Sequence, residues 1–329
     1  MELRHLRYFL AVAEEGQFTR AAERLAMQQP PLSQQIRLLE EEIGFELFVR
    51  QPRGVELTPA GRAFAQSAEL VLDTLQQGVA HARRIARGEL GTIAVGLTSS
   101  AGFHPMTTDA IRAFRADHPG IEITLAELNA AELSERLSNG QLHVAFLRKP
   151  VDTLPGVAFE PLLDEPMVVV LPVGHRLLDG MQGKQGEPPA ISLKALEHEE
   201  FILVRRPGAP GMYADFLAAC RRQGFVPHVA REVPRMLTGI HMVAAGLGVT
   251  LVPASMQRYD HRSAVFCPLA DPAGFSAPLH LAYPIEMRDP AAARFVEFVL
   301  EKKAQADREG DAAGGRAIDR GWQGPRSLR

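Results

Sequence analysis

Gln28-Gln-Pro-Pro-Leu-Ser-Gln-Gln-Ile-Arg-Leu-Leu-Glu-Glu-Glu-Ile-Gly44 is the stretch on which the reading of this chain turns. Two adjacent prolines do not fit inside a helix, but they suit a turn followed by a first helical position. Behind them Leu32, Ile36, Leu39 and Ile43 recur at spacings of four, three and four, and Gly44 supplies a stop. On a helical wheel these four share one face. Pro30, Gln34 and Arg37 face the other way, Ser33 flanks them, and Leu38 also points outward. Gln, Arg and Ser are the side chains that bond to base edges in a major groove. The acidic run Glu40-Glu41-Glu42 falls at the far end of the helix, which leaves its first half free to be locally positive.

Working outward, residues 2–15 read as a helix with Leu3, Leu6, Leu10 and Ala13 at helical spacing and a stop at Gly16. A short helix follows over Thr19–Leu25, with Thr19 as its cap. Short helix, turn and polar-faced helix form the pattern of a helix-turn-helix. Downstream, Glu46–Arg50 and Val55–Leu57 flank Gln51-Pro-Arg-Gly54, a hairpin signal whose tip is framed by Arg50 and Arg53. Thr58-Pro59 then opens a helix predicted to run to about Arg87. Phe64, Ala68, Val71, Leu75, Gly78, Ala82 and Ile85 make a heptad seam along it, which predicts pairing with another helix.

Composition narrows the alternatives. The chain has 329 residues, 46% hydrophobic and 23% charged, with a formal net charge of −3, as expected for a soluble protein of two or more domains. The first 58 residues carry 7 Arg and 9 Glu, a net of −2, so DNA binding must come from where the charges sit. No apolar run approaches the ~18 residues needed to span a bilayer, and no secretory signal fits residues 1–15. A cytoplasmic protein with no membrane partner is therefore expected. The two cysteines, Cys220 and Cys267, lack metal-ligand spacing and read as small buried residues. No GxGxxG after a strand, GxSxG elbow, Walker loop or metal-spaced His pair occurs, which argues against an enzyme.

After Gly88 the pattern becomes strand–helix alternation, which implies an α/β domain with a mostly parallel sheet. Strands are predicted at Thr92–Leu97, Ile121–Leu125 and Val144–Leu147, with helices at Met106–Ala116 and Ala130–Leu137. A second block begins at Met167–Leu171. It continues through Phe201–Val204, a helix around Tyr213–Arg222, and His241–Ala245 leading into Val249–Val252, and Val265–Cys267 and Leu279–Tyr283 follow as strands. A last helix is expected from Pro290 to Lys303, then a tail over 304–329 that holds five Gly and reads as disordered. The first block breaks near Leu162–Pro166 and Val265–Leu269 can cross back, as a two-strand hinge requires. Thr98, Ser99 and Ser100 follow the first strand, where hydroxyls and free N–H groups suit a carboxylate. Asn129 opens a helix, Arg148 follows the strand Val144–Leu147 and Arg205 follows Phe201–Val204, and an arginine fork at either place suits both oxygens of a bound carboxylate.

Phe18-Thr-Arg-Ala-Ala-Glu-Arg-Leu25, Gln29-Pro-Pro-Leu-Ser-Gln-Gln-Ile36, Gly44, Leu47-Phe48, Arg50 and Leu57-Thr-Pro-Ala-Gly61 together resemble the LysR-type transcriptional regulators, over residues 1 to about 300. The resemblance implies a winged helix-turn-helix DNA-binding domain (1–58), a linker and dimerisation helix (59–88) and a two-lobed, periplasmic-binding-protein-like α/β effector domain (89–303). Lobe I would take 89–163 and 267–303, and lobe II 164–266. It implies that Thr19, Gln29, Pro30, Ser33, Gln34, Arg37 and Arg53 lie at or near double-stranded promoter DNA, with Arg50 on the wing. Dimerisation would use Phe64, Ala68, Val71, Leu75, Ala82 and Ile85, and a homodimer or homotetramer acting with RNA polymerase is implied. No cofactor or metal is expected. The partner of the second half would be a small-molecule effector, a carboxylate or aromatic acid. The run Met242-Val-Ala-Ala-Gly-Leu-Gly-Val-Thr-Leu-Val-Pro253 is similar to the branch that controls breakdown of aromatic compounds, in which Arg235 and Leu237 stand where Gln is frequent.

Overall fold

A computed structural model of the chain describes residues 1–52, 54–148, 154–179, 188–204, 211–258, 262–270 and 274–312. The chain forms two compact units, Met1–Arg84 and Ile85–Arg329, each described on its own below.

The first unit packs three helices, α1 (Leu3–Glu15), α2 (Phe18–Arg24) and α3 (Gln29–Ile43), beneath an antiparallel hairpin, β1 (Phe48–Gln51) and β2 (Gly54–Leu57). Its core is Leu6, Phe9, Val12, Ala21, Ala22, Leu32, Ile36, Leu39 and Leu47. The α3 face matches its wheel. In α1 the buried stripe runs through Leu6, Phe9, Ala11 and Val12, rotated from the expected Leu3, Leu6, Leu10 and Ala13. Phe9 explains the rotation, because its ring packs tilted against Phe48 and Phe64, with centroids 5.3 Å and 5.2 Å away. Thr19 does not cap α2. The helix starts at Phe18, Gln17 holds the cap position without capping the helix through its side chain, and Phe18 is drawn onto the core against Phe48.

The three consecutive acids of α3 each have a separate task. Glu40 Oε1 accepts from Leu47 N (2.7 Å) and Phe48 N (3.3 Å), Glu41 pairs with Arg37, and Glu42 pairs with the N-terminal ammonium. The hairpin is pinned from its other side, where Val55 N donates to Gly16 O and a Cβ on Gly54 would lie 2.3 Å from that oxygen.

Helix α4 (Pro59–Ala86) has 28 residues, about 42 Å at 1.5 Å per residue. Thr58 starts it: its hydroxyl accepts from Gly61 N (2.8 Å) and donates to Glu46 O (2.9 Å). The first turns lie on the domain core, so Phe64 and Ala68 pack within the chain and are not free for a seam. The domain-facing stripe and the heptad seam overlap there. Beyond them Val71, Leu75 and Ile85 stand 46%, 40% and 46% exposed, and Ala82 is exposed as well.

The second unit is an α/β domain of two lobes. In lobe I the sheet runs β4 (Ile121–Glu127), β3 (Gly91–Leu97), β5 (Val144–Leu147), β11 (Ser276–Pro284), β6 (Val157–Pro172). Helices α5 (Ser99–Gly102), α6 (Pro105–Asp117) and α10 (Pro290–Ala312) supply one face, with Phe114 against Phe295. Helix α7 (Ala130–Ser138) covers the other through Leu133 and Leu137. Lobe II is built on the far half of β6, which pairs with β10 (Ala264–Pro268) and β9 (Thr250–Pro253). The parallel pair β7 (Glu200–Val204) and β8 (His228–Val233) joins β9 by a bridge at Val249. The run Met167–Leu171 is continuously apolar because both faces are covered. Met167, Val169 and Leu171 face α8 (Gly211–Arg222), and Val168 and Val170 face α9 (Met236–Ala244).

Several expectations shift. Among the described strands, β4-β3-β5 and β7-β8 pair parallel, whereas β6 pairs antiparallel with β9, β10 and β11, and β11 pairs antiparallel with β5. The return to lobe I comes at β11, where Ser276 pairs with Pro166. It does not come at Val265–Leu269, because Val265 and Cys267 pack with the lobe II core. Strand β8 was not foreseen. Helix α10 runs on to Ala312, nine residues past Lys303, and residues 313–329 lie outside the described ones.

Gly61 is the tightest point of the first unit: a Cβ there would sit 2.1 Å from the Leu47 carbonyl. Gly61→Ala should therefore destabilise that unit by about 1–3 kcal/mol, as overpacking does. Urea unfolding of the full chain followed by circular dichroism checks this, and an unchanged first transition would contradict the packing described.

Candidate functional site

Two places gather the chemistry. The first is the outward side of α3. Pro30 and Pro31 fill its opening positions, where a missing N–H costs nothing. Gln29, Pro30, Gln34 and Arg37 are exposed and Ser33 is half-buried, while Leu32, Ile36 and Leu39 are buried. Thr19 is exposed on α2 and Arg50 on β1; Arg53 lies outside the described residues. Arg37 Nε donates to Glu41 Oε1 at 2.9 Å, one turn along the same helix, so the acidic run does reach back toward the polar face. Arg37 is 80% exposed, and such an i,i+4 pair is worth only about 0.3–0.5 kcal/mol. The pairing therefore orients the guanidinium without holding it strongly.

The second place is a cavity of about 430 Å³ between the two lobes of the second unit. Lobe I lines it with Thr98, Ser99, Ser100, Asn129 and Arg148, the five residues expected there, and also with Glu127 and Glu132. Arg205 lies outside the described residues. Lobe II contributes an apolar wall of Met167, Leu203, Met212, Phe216, Met236 and Leu251, together with Tyr213 and Arg235. Helix starts crowd this space. Asn129 caps α7 by accepting from Glu132 N (2.9 Å), and Glu132 returns the bond to Asn129 N. Gly211 and Met212 open α8, and Arg235 holds the cap position of α9. Thr98 caps α5 by accepting from Ala101 N at 3.4 Å.

Arg148 differs from the expectation. Its fork is already filled: Nη2 donates to Ser100 O (2.7 Å) and Ser255 Oγ (3.2 Å), and Nη1 donates to Ala277 O (3.3 Å) and pairs with Glu165. Glu165 in turn accepts from Ser255 N (2.7 Å) and Ser255 Oγ (3.0 Å). The Arg148 side chain is 4% exposed, and burial lowers its pKa against the opposing pull of Glu165. An arginine so engaged ties β5, α5, β6 and β11 together at the lobe junction, and only Nε is without a bond.

His104 is a residue that the sequence reading missed. It is buried, and its Nδ1 accepts from Met106 N (3.1 Å), capping α6. Burial, then the nearby charges of Arg148 and Arg258, push its pKa down to about 4, so the ring is neutral. Equally unforeseen is a pair across the cavity, Arg235 Nη1 to Glu127 Oε1 at 2.9 Å. Both partners end elements, Glu127 closing β4 and Arg235 preceding α9, and no local pattern announces that they meet. The Cys220 and Cys267 thiols are buried, with pKa values pushed up by burial to about 12 and about 11, which leaves them unreactive. Among the described residues no group of His, Cys, Asp and Glu is arranged to hold a metal, and no helix is long and apolar enough to cross a membrane.

Residues 3–62 match the family of bacterial regulatory helix-turn-helix proteins of lysR type, and residues 86–304 match the LysR substrate binding domain. The chain belongs to the LysR family of transcriptional regulators. It is 36% identical over 295 residues to the HTH-type transcriptional regulator YnfL of Escherichia coli (strain K12), covering 89% of this chain and 96% of that one. To BenM of Acinetobacter baylyi (strain ATCC 33305 / BD413 / ADP1), also named an HTH-type transcriptional regulator, it is 34% identical over 282 residues, covering 86% and 90%. The crystal structure of full-length CbnR complexed with its target DNA superposes with a TM-score of 0.75 at 29% identity, covering 92% of this chain and 100% of that one. This LysR-family chain is thus a regulator rather than an enzyme, with a helix-turn-helix region followed by a LysR substrate binding domain.

A neutral buried His104 predicts acid sensitivity. Its folded pKa of about 4 lies below the unfolded value of 6.5, so the unfolded chain takes up the proton first. The associated stability is present above pH 6.5 and is lost as pH falls toward 4, about 3 kcal/mol in all. His104→Asn keeps a capping acceptor and removes the titration. Melting temperatures of the native protein and the variant between pH 7 and pH 4 should diverge in slope, and parallel slopes would rule out this assignment.

Proposed function

We propose that the chain binds operator DNA through the outward side of α3 and that a small anionic effector, held between the lobes, modulates that binding. The observation that carries the first part is the segregation on α3: Gln29, Pro30, Gln34 and Arg37 meet solvent while the apolar positions are spent on the core. Gln pairs with adenine, Arg with guanine, and Ser33 with either. Arg50 on the hairpin would reach the phosphate backbone, the same role is proposed for Arg53, and Thr19 would support the contact from α2. CbnR is described in complex with its target DNA, and DNA binding through α3 is proposed for this chain.

For the second part the support is the convergence of helix N-termini. The starts of α7, α8 and α9 line one cavity, from both lobes, and each brings partial positive charge. A carboxylate on an apolar or aromatic body matches that field and the wall of Met212, Phe216 and Leu251. Thr98, Ser99 and Ser100 would complete the polar end. Arg148 would act by fixing the junction rather than by clasping the ligand. Two chains would pair through Val71, Leu75, Ala82 and Ile85, setting two recognition helices on half-sites, with further association of effector lobes into a tetramer. Regulation then needs contact with, or exclusion of, RNA polymerase. The ligand can shift this system only by favouring one of two states.

A gel shift on the intergenic DNA beside the gene, repeated as a footprint with and without candidate carboxylates, tests the whole reading. An identical footprint, bend and transcript level would remove the switching half. Arg37→Ala is expected to weaken specific binding by about 1–3 kcal/mol, more than the Glu41 pair could mask. Unchanged affinity at matched salt would count against its role. The double variant Val71→Glu, Leu75→Glu should convert dimers to monomers in light scattering and abolish tight operator binding; retention of the native mass would place the seam elsewhere.

A further inference from the structure

The cavity holds two arginines among its described residues, and they are in opposite situations. Arg148 is buried with its fork filled by Glu165, Ser100, Ala277 and Ser255. Arg235 is 55% exposed, and the partner recorded for it is Glu127, 40% exposed and carried by the other lobe. Arg235 sits at the cap position of α9, where no side chain caps the helix, in contrast to the closed Asn129–Glu132 box on α7. A cation, an uncapped helix start and a removable carboxylate therefore meet on one side of the cavity.

We propose that Arg235 is the effector's anion ligand from lobe II, and that Glu127 occupies it until a carboxylate effector takes its place. The proposal rests on the anionic-effector reading above and deepens it. Glu127 Oε1 stands for an effector oxygen: it meets the same Nη1 at 2.9 Å that a bound carboxylate would meet. An exposed pair of this kind is weak and exchanges readily. An incoming carboxylate gains both the guanidinium and the α9 N-terminus, whereas Glu127 returns to water, where its charge is well solvated. The exchange conserves charge at Arg235 and frees Glu127 from the opposite lobe. A neutral isostere cannot make it, so the pair acts as a filter for charge as well as a tie between lobes.

Isothermal titration of the full-length protein with benzoate, and with benzamide as the uncharged isostere, provides the test. Benzoate joins a carboxylate to a flat apolar body of the kind the Phe216 wall accepts. Glu127→Gln should tighten benzoate by about two- to fivefold, the worth of a lost exposed competitor. Arg235→Gln should weaken it by about tenfold, and Arg235→Lys, which keeps charge but not the fork, should fall between. In the Arg235→Gln background the gain from Glu127→Gln should vanish. Benzamide should respond to none of these. If Glu127→Gln still tightens benzoate when Arg235 is Gln, the effect is the general field of the cavity and the exchange is wrong. Benzoate binding that ignores Arg235→Gln overturns this proposal and leaves the anionic cavity standing. No benzoate binding to either the native protein or Glu127→Gln overturns both.

Discussion

A guanidinium removed from water is among the most expensive groups a protein interior can hold. Arg148 is such a group, and the lobe junction is arranged around it. Glu165 neutralises its charge, Ser255 holds Glu165 with both its N–H and its hydroxyl, and two backbone carbonyls and the Ser255 hydroxyl accept from its terminal nitrogens, which leaves only Nε–H unpaired. These partners come from elements far apart in sequence. The pair is therefore satisfied only when β5, α5, β6, β11 and the segment after β9 are together. Opening any one of them would leave a charge stranded. The cavity wall above the junction inherits its position from this cluster, as does His104, whose neutrality is enforced partly by the same positive charge.

How much of this was legible beforehand depends on the range of each interaction. Local signals worked well. The wheel of Leu32, Ile36, Leu39 and Ile43 gave the correct buried face of α3, and Pro30, Gly44 and Thr58-Pro59 marked element ends by backbone constraints that act within a few residues. Rotation of α1 was not legible, because Phe9 is fixed by Phe48 and Phe64, rings that belong to the hairpin and α4. Strand β8 was missed for a similar reason. His228–Val233 is mixed in polarity and becomes a strand only because β7 offers it a parallel edge. The seam on α4 was legible as a period, but Phe64 and Ala68 serve the domain's own core first.

The cavity follows the same division. Thr98, Ser99, Ser100 and Asn129 were found because they sit just past strands or at helix caps, places that a sequence does announce. What Arg148 does with its fork depends on Glu165, on another strand, and on Ser255, 107 positions away, and no spacing rule connects the three. The meeting of Glu127 and Arg235 is likewise a property of two lobes facing each other. Sequence reasoning located the chemistry and left its pairing to the fold.

The carboxylate of Glu40 has a consequence beyond its two hydrogen bonds. By gripping the backbone at Leu47 and Phe48, it makes the end of α3 and the start of the hairpin one piece. Everything that holds this piece in place lies on the inward side or at the far end of the helix. The outward positions are thereby relieved of any architectural duty. With α3 reading DNA as proposed, a lineage could exchange Gln29, Gln34 or Arg37 one at a time, and so drift from one target sequence to another, without the scaffold ever having to be rebuilt.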